Sequence, residues 1–309
     1  MGQIRASIDI GSNSVLLLIA KVHEGKFEVI ENHSQVTGLG RDLDKNKIFI
    51  EEAMVETSDV LSEYVSICNQ YNIKTNDIIV TATEASRVAK NSKEFFDKIY
   101  KKLGVKIITI TAEAEAYYSS IGILCDNLIT LDEIIIMDIG GASTELIKVD
   151  VKAKEVIESF SMPVGSVRLN NWKMEHKHTE KLSRIFSDFS QQIKRMGTRE
   201  LFCVAGTMTS VGNIYLNHRE FVEKEVHGLS FEKKVLDQLL KKYAEFTPED
   251  FLRDYPFLGK RSKTILSGIE LANKLLDELY VERVYISTFG LRYGTLMTGG
   301  VKDAYIFRG

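Results

Sequence analysis

Cysteine and proline are scarce in this chain, and each shortage closes off an option. Only three cysteines occur in 309 residues, Cys68, Cys125 and Cys203. They are widely spaced, odd in number and form no C-x-x-C pair, which argues against a disulfide framework or a zinc site and for a reducing compartment. The three prolines (Pro163, Pro248, Pro256) come with no low-complexity tract, so the halves of the chain should join compactly rather than through a flexible tether. Charge of either sign is nearly balanced, with a net of −3. No global field recruits nucleic acid or an acidic membrane, and any polyanion has to be held by local features. Long apolar runs are missing as well. Residues 15–20 are far too few to cross a bilayer, and Arg5 and Ser7 interrupt the run before them. Met1-Gly2 suggests myristoylation, but Ala6 stands where that signal wants a hydroxyl. The expected setting is the cytoplasm, with neither DNA nor membrane as partner.

What is present is a repeated pattern. The length allows two ordinary domains. Residues 4–10, 15–22 and 27–36 read as three strands around a Glu24-Gly25-Lys26 turn, and Gly38-Leu39-Gly40 breaks the pattern. Residues 51–71 have helical spacing with acidic residues at the start, which suits the helix dipole. A strand at 77–82, a helix at 83–103 broken near Asn91-Ser92, a strand at 105–110 and a helix at 113–124 follow. Polar residues around Asp126, Asn127 and Asp132 mark the domain junction, giving domains 1–126 and 127–309. The pattern then restarts with strands at 133–138, 145–151 and 155–162. A helix at 179–196, a strand at 201–205 and a Gly206-Thr207 turn into a helix come next. Helices near 231–246 and 260–279, a strand at 283–287 and a terminal helix opened by Gly290 complete the reading. The helix at about 290–309 is expected to pack back on the first domain.

Two turns carry the chemistry. One is Asp9-Ile10-Gly11-Ser12-Asn13-Ser14; the other is Asp138-Ile139-Gly140-Gly141-Ala142-Ser143-Thr144-Glu145. Each follows an apolar run, and each can offer backbone N–H groups and hydroxyls to an anion with a carboxylate alongside. A single such turn reads as a plain hairpin; the second copy shifts the reading to a phosphate gripped from two sides. Gly11, Gly140 and Gly141 allow close backbone approach or a positive φ. Aspartates are poor strand formers, so Asp9 and Asp138 at strand ends either start turns or hold Mg²⁺ directly or through water.

Five segments together resemble the exopolyphosphatase/guanosine-pentaphosphate phosphatase family. They are Asp9-Ile-Gly-Ser-Asn-Ser14, Thr81-Ala-Thr-Glu-Ala-Ser-Arg87, Asp138-Ile-Gly-Gly-Ala-Ser-Thr-Glu145, Pro163-Val-Gly-Ser-Val-Arg-Leu169 and Gly290-Leu-Arg-Tyr-Gly294. The resemblance covers nearly the whole chain in order and is to the short, two-domain members. It implies an α/β protein of two RNase H-like (actin-like ATPase) domains with the active site in the cleft between them. It implies that Glu115 orients or deprotonates the attacking water, and that Arg87 contacts phosphate, for which a planar fork is well shaped. Asp9, Asp138 and Glu145 would organise Mg²⁺ or another divalent cation. Gly11, Ser12, Asn13, Ser14, Gly140, Gly141, Ala142, Ser143, Gly206 and Thr207 would surround the phosphate, and a homodimer is implied in the same way. The family's usual pair of glutamates is here Ala114-Glu115. At about 100° per residue, positions two apart on a helix face nearly opposite ways, so Glu113 is left as a partner for the helix dipole.

The chain departs from the family at Ala142, a usual glycine, at Ala205, where a double-glycine turn loses one glycine, and at Tyr293, a usual glutamate. Arg168, Arg261 and His227-Gly228 also sit at family-like positions. The clusters Lys173/His176/Lys177/His178 and Lys260/Arg261/Lys263 are candidates for a polyanion path, or else ordinary solvated surface. Three readings follow. The first is a hydrolase of inorganic polyphosphate. The second is a hydrolase of the 5′-γ-phosphate of guanosine pentaphosphate. The third is a catalytically weak binding protein that senses guanosine tetra- or pentaphosphate or polyphosphate.

Overall fold

In the computed structural model, which describes residues 2–126 and 129–309, apolar runs separated by Gly-containing turns pair into two mixed sheets. Met1, Asn127 and Leu128 lie outside the described residues, and with them part of the expected junction. The chain divides into two units, residues 1–126 with 289–309 and residues 127–288.

Unit 1 holds β1 (Gln3–Ile10), β2 (Ser14–His23), β3 (Lys26–Val36), β4 (Ile78–Ala82) and β5 (Ile107–Thr109), in the order β3-β2-β1-β4-β5. β1, β2 and β3 form an antiparallel meander, while β4 and β5 join in parallel. Successive residues of a strand point to opposite faces. Leu17 therefore joins one core with Leu61, Tyr64 and Phe95 of the helices Glu51–Gln70 and Ser92–Leu103 on one face. Leu18 meets Tyr293 and Leu296 of the helix Leu291–Thr298 on the other. Each such burial is worth roughly 1.5–3 kcal/mol relative to exposure. The helix Leu291–Thr298 also crosses the helix Ala112–Ile123 at glycines. A Cβ on Gly122 would strike the carbonyl oxygen of Gly290, and one on Gly294 that of Tyr118.

Unit 2 holds β6 (Glu133–Ile139), β7 (Thr144–Asp150), β8 (Glu155–Met162), β9 (Glu200–Val204), β10 (Ser230–Glu232) and β11 (Arg283–Ile286), in the order β10-β11-β9-β6-β7-β8. Without β10, the order and directions repeat those of unit 1: a meander, then two parallel strands. Met137, Leu146, Leu201, Met208, Val211, Leu271 and Leu275 form part of its core.

Several local expectations are corrected. The helix expected over 179–196 is two, His178–Asp188 and Ser190–Arg195, because Phe189 leaves helical geometry and stacks on Phe160 at 5.7 Å. The segment 231–246 begins as β10, paired with β11, before the helix Lys234–Tyr243. The helix expected from 260 begins at Ile265, after a 3₁₀ segment Pro256–Lys263. Helices Ser166–Met174 and Pro248–Asp254 were not anticipated.

Candidate active site

The two turns have the same geometry. In each, the first glycine donates its N–H to the carbonyl of the residue three positions on: Gly11 to Ser14 at 2.9 Å, and Gly140 to Ser143 at 3.0 Å. A Cβ on either glycine would sit 3.3 Å from that acceptor oxygen. Close approach is therefore the reason for glycine here. Gly11, Gly140 and Gly141 do not have positive φ, which corrects the other half of that expectation. Ala142 also keeps a negative φ, so its methyl costs no backbone strain.

In unit 1, three parallel strands end beside one another and deliver one group each. β1 ends in Asp9 and the turn. β4 leads into the short helix Glu84–Val88, which carries Arg87. β5 leads into Ala112–Ile123, whose N-cap Thr111 accepts from the N–H of Ala114 and which carries Glu115. The carboxyl ends of parallel strands are where α/β sheets place ligands. Arg87 and Glu115 meet there. Both Nη1 and Nη2 of Arg87 donate to Glu115 Oε2 at 3.0 Å. Nη1 also donates to the carbonyl of Ile110 at 2.8 Å, and Nη2 to Glu84 Oε2 at 3.3 Å. The arginine expected on phosphate is thus held by two carboxylates and a carbonyl. Glu84, three residues earlier on the same helix, was not anticipated. Glu115 is 9% exposed. Burial raises its carboxyl above the ordinary range, against the lowering influence of Arg87. Glu113 behaves differently: a hydrogen bond from its own backbone N–H, aided by the Thr111 hydroxyl, holds its carboxyl below the ordinary range.

Unit 2 supplies the second turn and two carboxylates. Asp138 and Glu145 are direct cross-strand partners in β6 and β7. Like charges placed opposite each other repel, and their hard oxygens suit Mg²⁺. Ser161 Oγ donates to Glu145 Oε1 at 2.6 Å. Asp9 occupies the matching place at the end of β1. Among the described residues, no group of three or more His, Cys, Asp or Glu side chains gathers as a metal site. The paired Asp138 and Glu145 of unit 2 fit a divalent cation by the chemistry of their oxygens.

Gly206 and Thr207 lie inside the first turn of the helix Ala205–Tyr215 rather than in a turn before it. Ala205 instead makes the bend, at φ 64°, a conformation that costs an L-residue about 1–2 kcal/mol. The glycine missing from the family pattern is therefore replaced without the bend being lost. The guanidinium of Arg261 lies against Gly206, where a Cβ would collide with it, and Nη1 donates to Ser210 Oγ at 3.1 Å. Arg261 is half-buried, and loss of solvent around its guanidinium pushes its pKa down to about 10; the solvated-surface alternative for its cluster does not describe it. Lys173 pairs with Glu270 at 2.6 Å. Thr207 packs its methyl on Gly268, where a Cβ would come within 2.5 Å of it. Tyr293 is fully buried against Phe27 and Phe289. Segments 37–40 and 165–168 contact the two turns directly; the only advance signals for them were the Gly38–Gly40 break and the motif at 163–169.

No helix among the described residues is long and apolar enough to cross a membrane. The model of the Ppx/GppA phosphatase family matches residues 18–299. A bifunctional 3-dehydroquinate synthase/phosphatase of Fusobacterium nucleatum is 27% identical over 96% of this chain and 46% of its own length. A guanosine-5'-triphosphate,3'-diphosphate pyrophosphatase of Pseudoalteromonas translucida is 33% identical over 96% of this chain and 60% of its own. The chain thus spans about half the length of the curated relatives it matches. The crystal structure of the Aquifex aeolicus member of the Ppx/GppA family superposes with a TM-score of 0.77 at 27% identity, covering 96% of this chain and 97% of that one. On the matched span, the chain belongs to the Ppx/GppA phosphatase family.

Proposed function

We propose that this chain is a metal-dependent phosphoanhydride hydrolase. It releases terminal orthophosphate from inorganic polyphosphate, the 5′-γ-phosphate of guanosine pentaphosphate, or both. The observation that carries the reading is Glu115, a buried carboxylate at the carboxyl ends of three parallel strands, with its affinity for a proton raised. Phosphoryl transfer to water needs little covalent help; it needs a placed nucleophile and fixed donors for the spreading charge. Glu115 orients water and takes its proton. The N–H groups and hydroxyls of the turns at 11–14 and 140–143 hold the phosphoryl oxygens, aided by the helix start at Gly206-Thr207. Asp9, Asp138 and Glu145 would hold Mg²⁺, which when bound would neutralise charge on those oxygens. The repeated strand order supports treating each unit as an RNase H-like domain.

One observation favours the second reading, a binding protein with weak turnover. Nη1 and Nη2 of Arg87 both donate to one oxygen of Glu115, which ties down the base. The two readings part on a direct assay. Orthophosphate release is measured with Mg²⁺ from long-chain polyphosphate and from guanosine pentaphosphate, for the wild type and Glu115→Gln. A loss of at least about a hundredfold in the variant is expected, the scale of general-base removal. Tight ligand binding with no turnover by the wild type would establish the binding protein instead.

A further inference from the structure

The turn at 140–143 has a fixed back. The carbonyl of Gly140 accepts from Ser166 N at 3.0 Å and from Ser166 Oγ at 3.3 Å. The carbonyl of Gly141 accepts from Val167 N at 2.9 Å and Arg168 N at 3.0 Å. The carbonyl of Ala142 accepts from Arg168 Nη1 at 2.6 Å. Three successive carbonyls therefore point toward the start of the helix Ser166–Met174. In a trans peptide the C=O and the next N–H point in opposite directions, and no peptide among the described residues is cis. The N–H groups of Gly141, Ala142 and Ser143 are accordingly turned away from that helix, side by side, an arrangement that forms an anion-binding concavity. The helix benefits too, since its first N–H groups lack partners within the helix and the turn takes them. Gly165 makes the approach possible: a Cβ there would stand 2.5 Å from the Gly140 carbonyl oxygen.

Unit 1 uses the same device without the charge. After β3, Thr37 N and Gly38 N donate to the Asn13 carbonyl at 3.1 and 2.9 Å, and Gly40 N donates to the Ser12 carbonyl at 2.7 Å. A Cβ on Gly40 would lie 3.0 Å from Ser12 Cβ. Three residues beyond that glycine stands buried Leu43; three beyond Gly165 stands Arg168, only 8% exposed.

We propose that Arg168 is a positioning residue. Its guanidinium anchors the Ala142 carbonyl, aims the N–H of Ser143 and sets a buried positive charge behind the turn, so that 140–143 is the tighter of the two phosphate seats. This rests on the reading of the turn as a phosphate cradle. The test is titration of the full-length chain with inorganic pyrophosphate, following the ¹⁵N amide resonances of both turns together with calorimetric affinity. In the wild type, the amides of Gly141, Ala142 and Ser143 are expected to shift. In Arg168→Met, affinity should fall about tenfold, as for loss of a charge-assisted hydrogen bond, with those shifts lost and the responses of Asn13 and Ser14 retained. Selective loss at one turn is a result that general loosening of the fold would not produce. If Arg168→Met does not fold, Arg168→Lys, which keeps the charge and loses the fork, should still weaken binding by about threefold. Wild-type affinity and shifts in a folded Arg168 variant would overturn the positioning role while leaving the cradle intact. No shift at 141–143 in the wild type would overturn the cradle, and the inference with it.

Discussion

Glu115 lies under two opposed influences, burial raising its affinity for a proton and Arg87 lowering it, with burial the larger. The sign has consequences. A carboxyl raised in the folded state binds more protons than in the unfolded chain between the ordinary value and the raised one. Its contribution to stability therefore falls as pH rises through that window. A general base must be ionised, so activity should rise through the same window. The acid limb of kcat/KM, which reports the free enzyme, is expected above the ordinary carboxylate value of 4.5. Arg87→Met removes the lowering influence and should move that limb to higher pH still; a limb that stays in place would mean that the pair is not coupled. That residues 113 and 115 face different ways was legible in the sequence, because a helix turns about 100° per residue; the choice of Glu115 between them rests on the family resemblance. The ion pair of Glu115 was not legible, because Arg87 lies 28 residues away on another helix.

The junction between strand β9 and the helix Ala205–Tyr215 concentrates strain in one residue. Ala205 holds a left-handed φ at a bend that glycine would make freely. Ala205→Gly should raise stability by about 1 kcal/mol, read as a higher midpoint in urea unfolding with an unchanged slope. A lower midpoint would show that the methyl makes packing contacts worth more than the strain. Other boundaries divided along the same physical line. β6 was plain from its run of isoleucines, since a strand buried on both faces reads as continuously apolar. β10 has no strand signal of its own within the helical spacing of 231–246, because it exists only through its pairing with β11, some fifty residues later. The helix Pro248–Asp254 carries a local signature of its own: Thr247 and Asp250 form a reciprocal capping box, with proline at the first turn.

Across the molecule, one plan is used twice, with a meander, two parallel strands, a glycine-closed turn and a backing segment after the third strand in each unit. The proposed activity depends on a divalent cation, so chelation offers a test at this scale. Dialysis against EDTA is expected to cut phosphate release by at least about a hundredfold, with restoration by Mg²⁺ and an unchanged far-UV circular dichroism spectrum. Full activity in rigorously metal-free protein would remove Asp9, Asp138 and Glu145 from the role given to them. The amino-acid order alone settled the doubled strand-turn-strand pattern, the glycine and hydroxyl content of both turns and the opposed helix faces of residues 113 and 115. These depend on periodicity and on hydrogen bonds spanning a few residues. Only the folded chain decided that Arg87 meets Glu115, that the guanidinium of Arg261 lies against Gly206, and that Gly40 and Gly165 press on the turns. Burial and desolvation are set by neighbours far along the chain, and no local pattern names them.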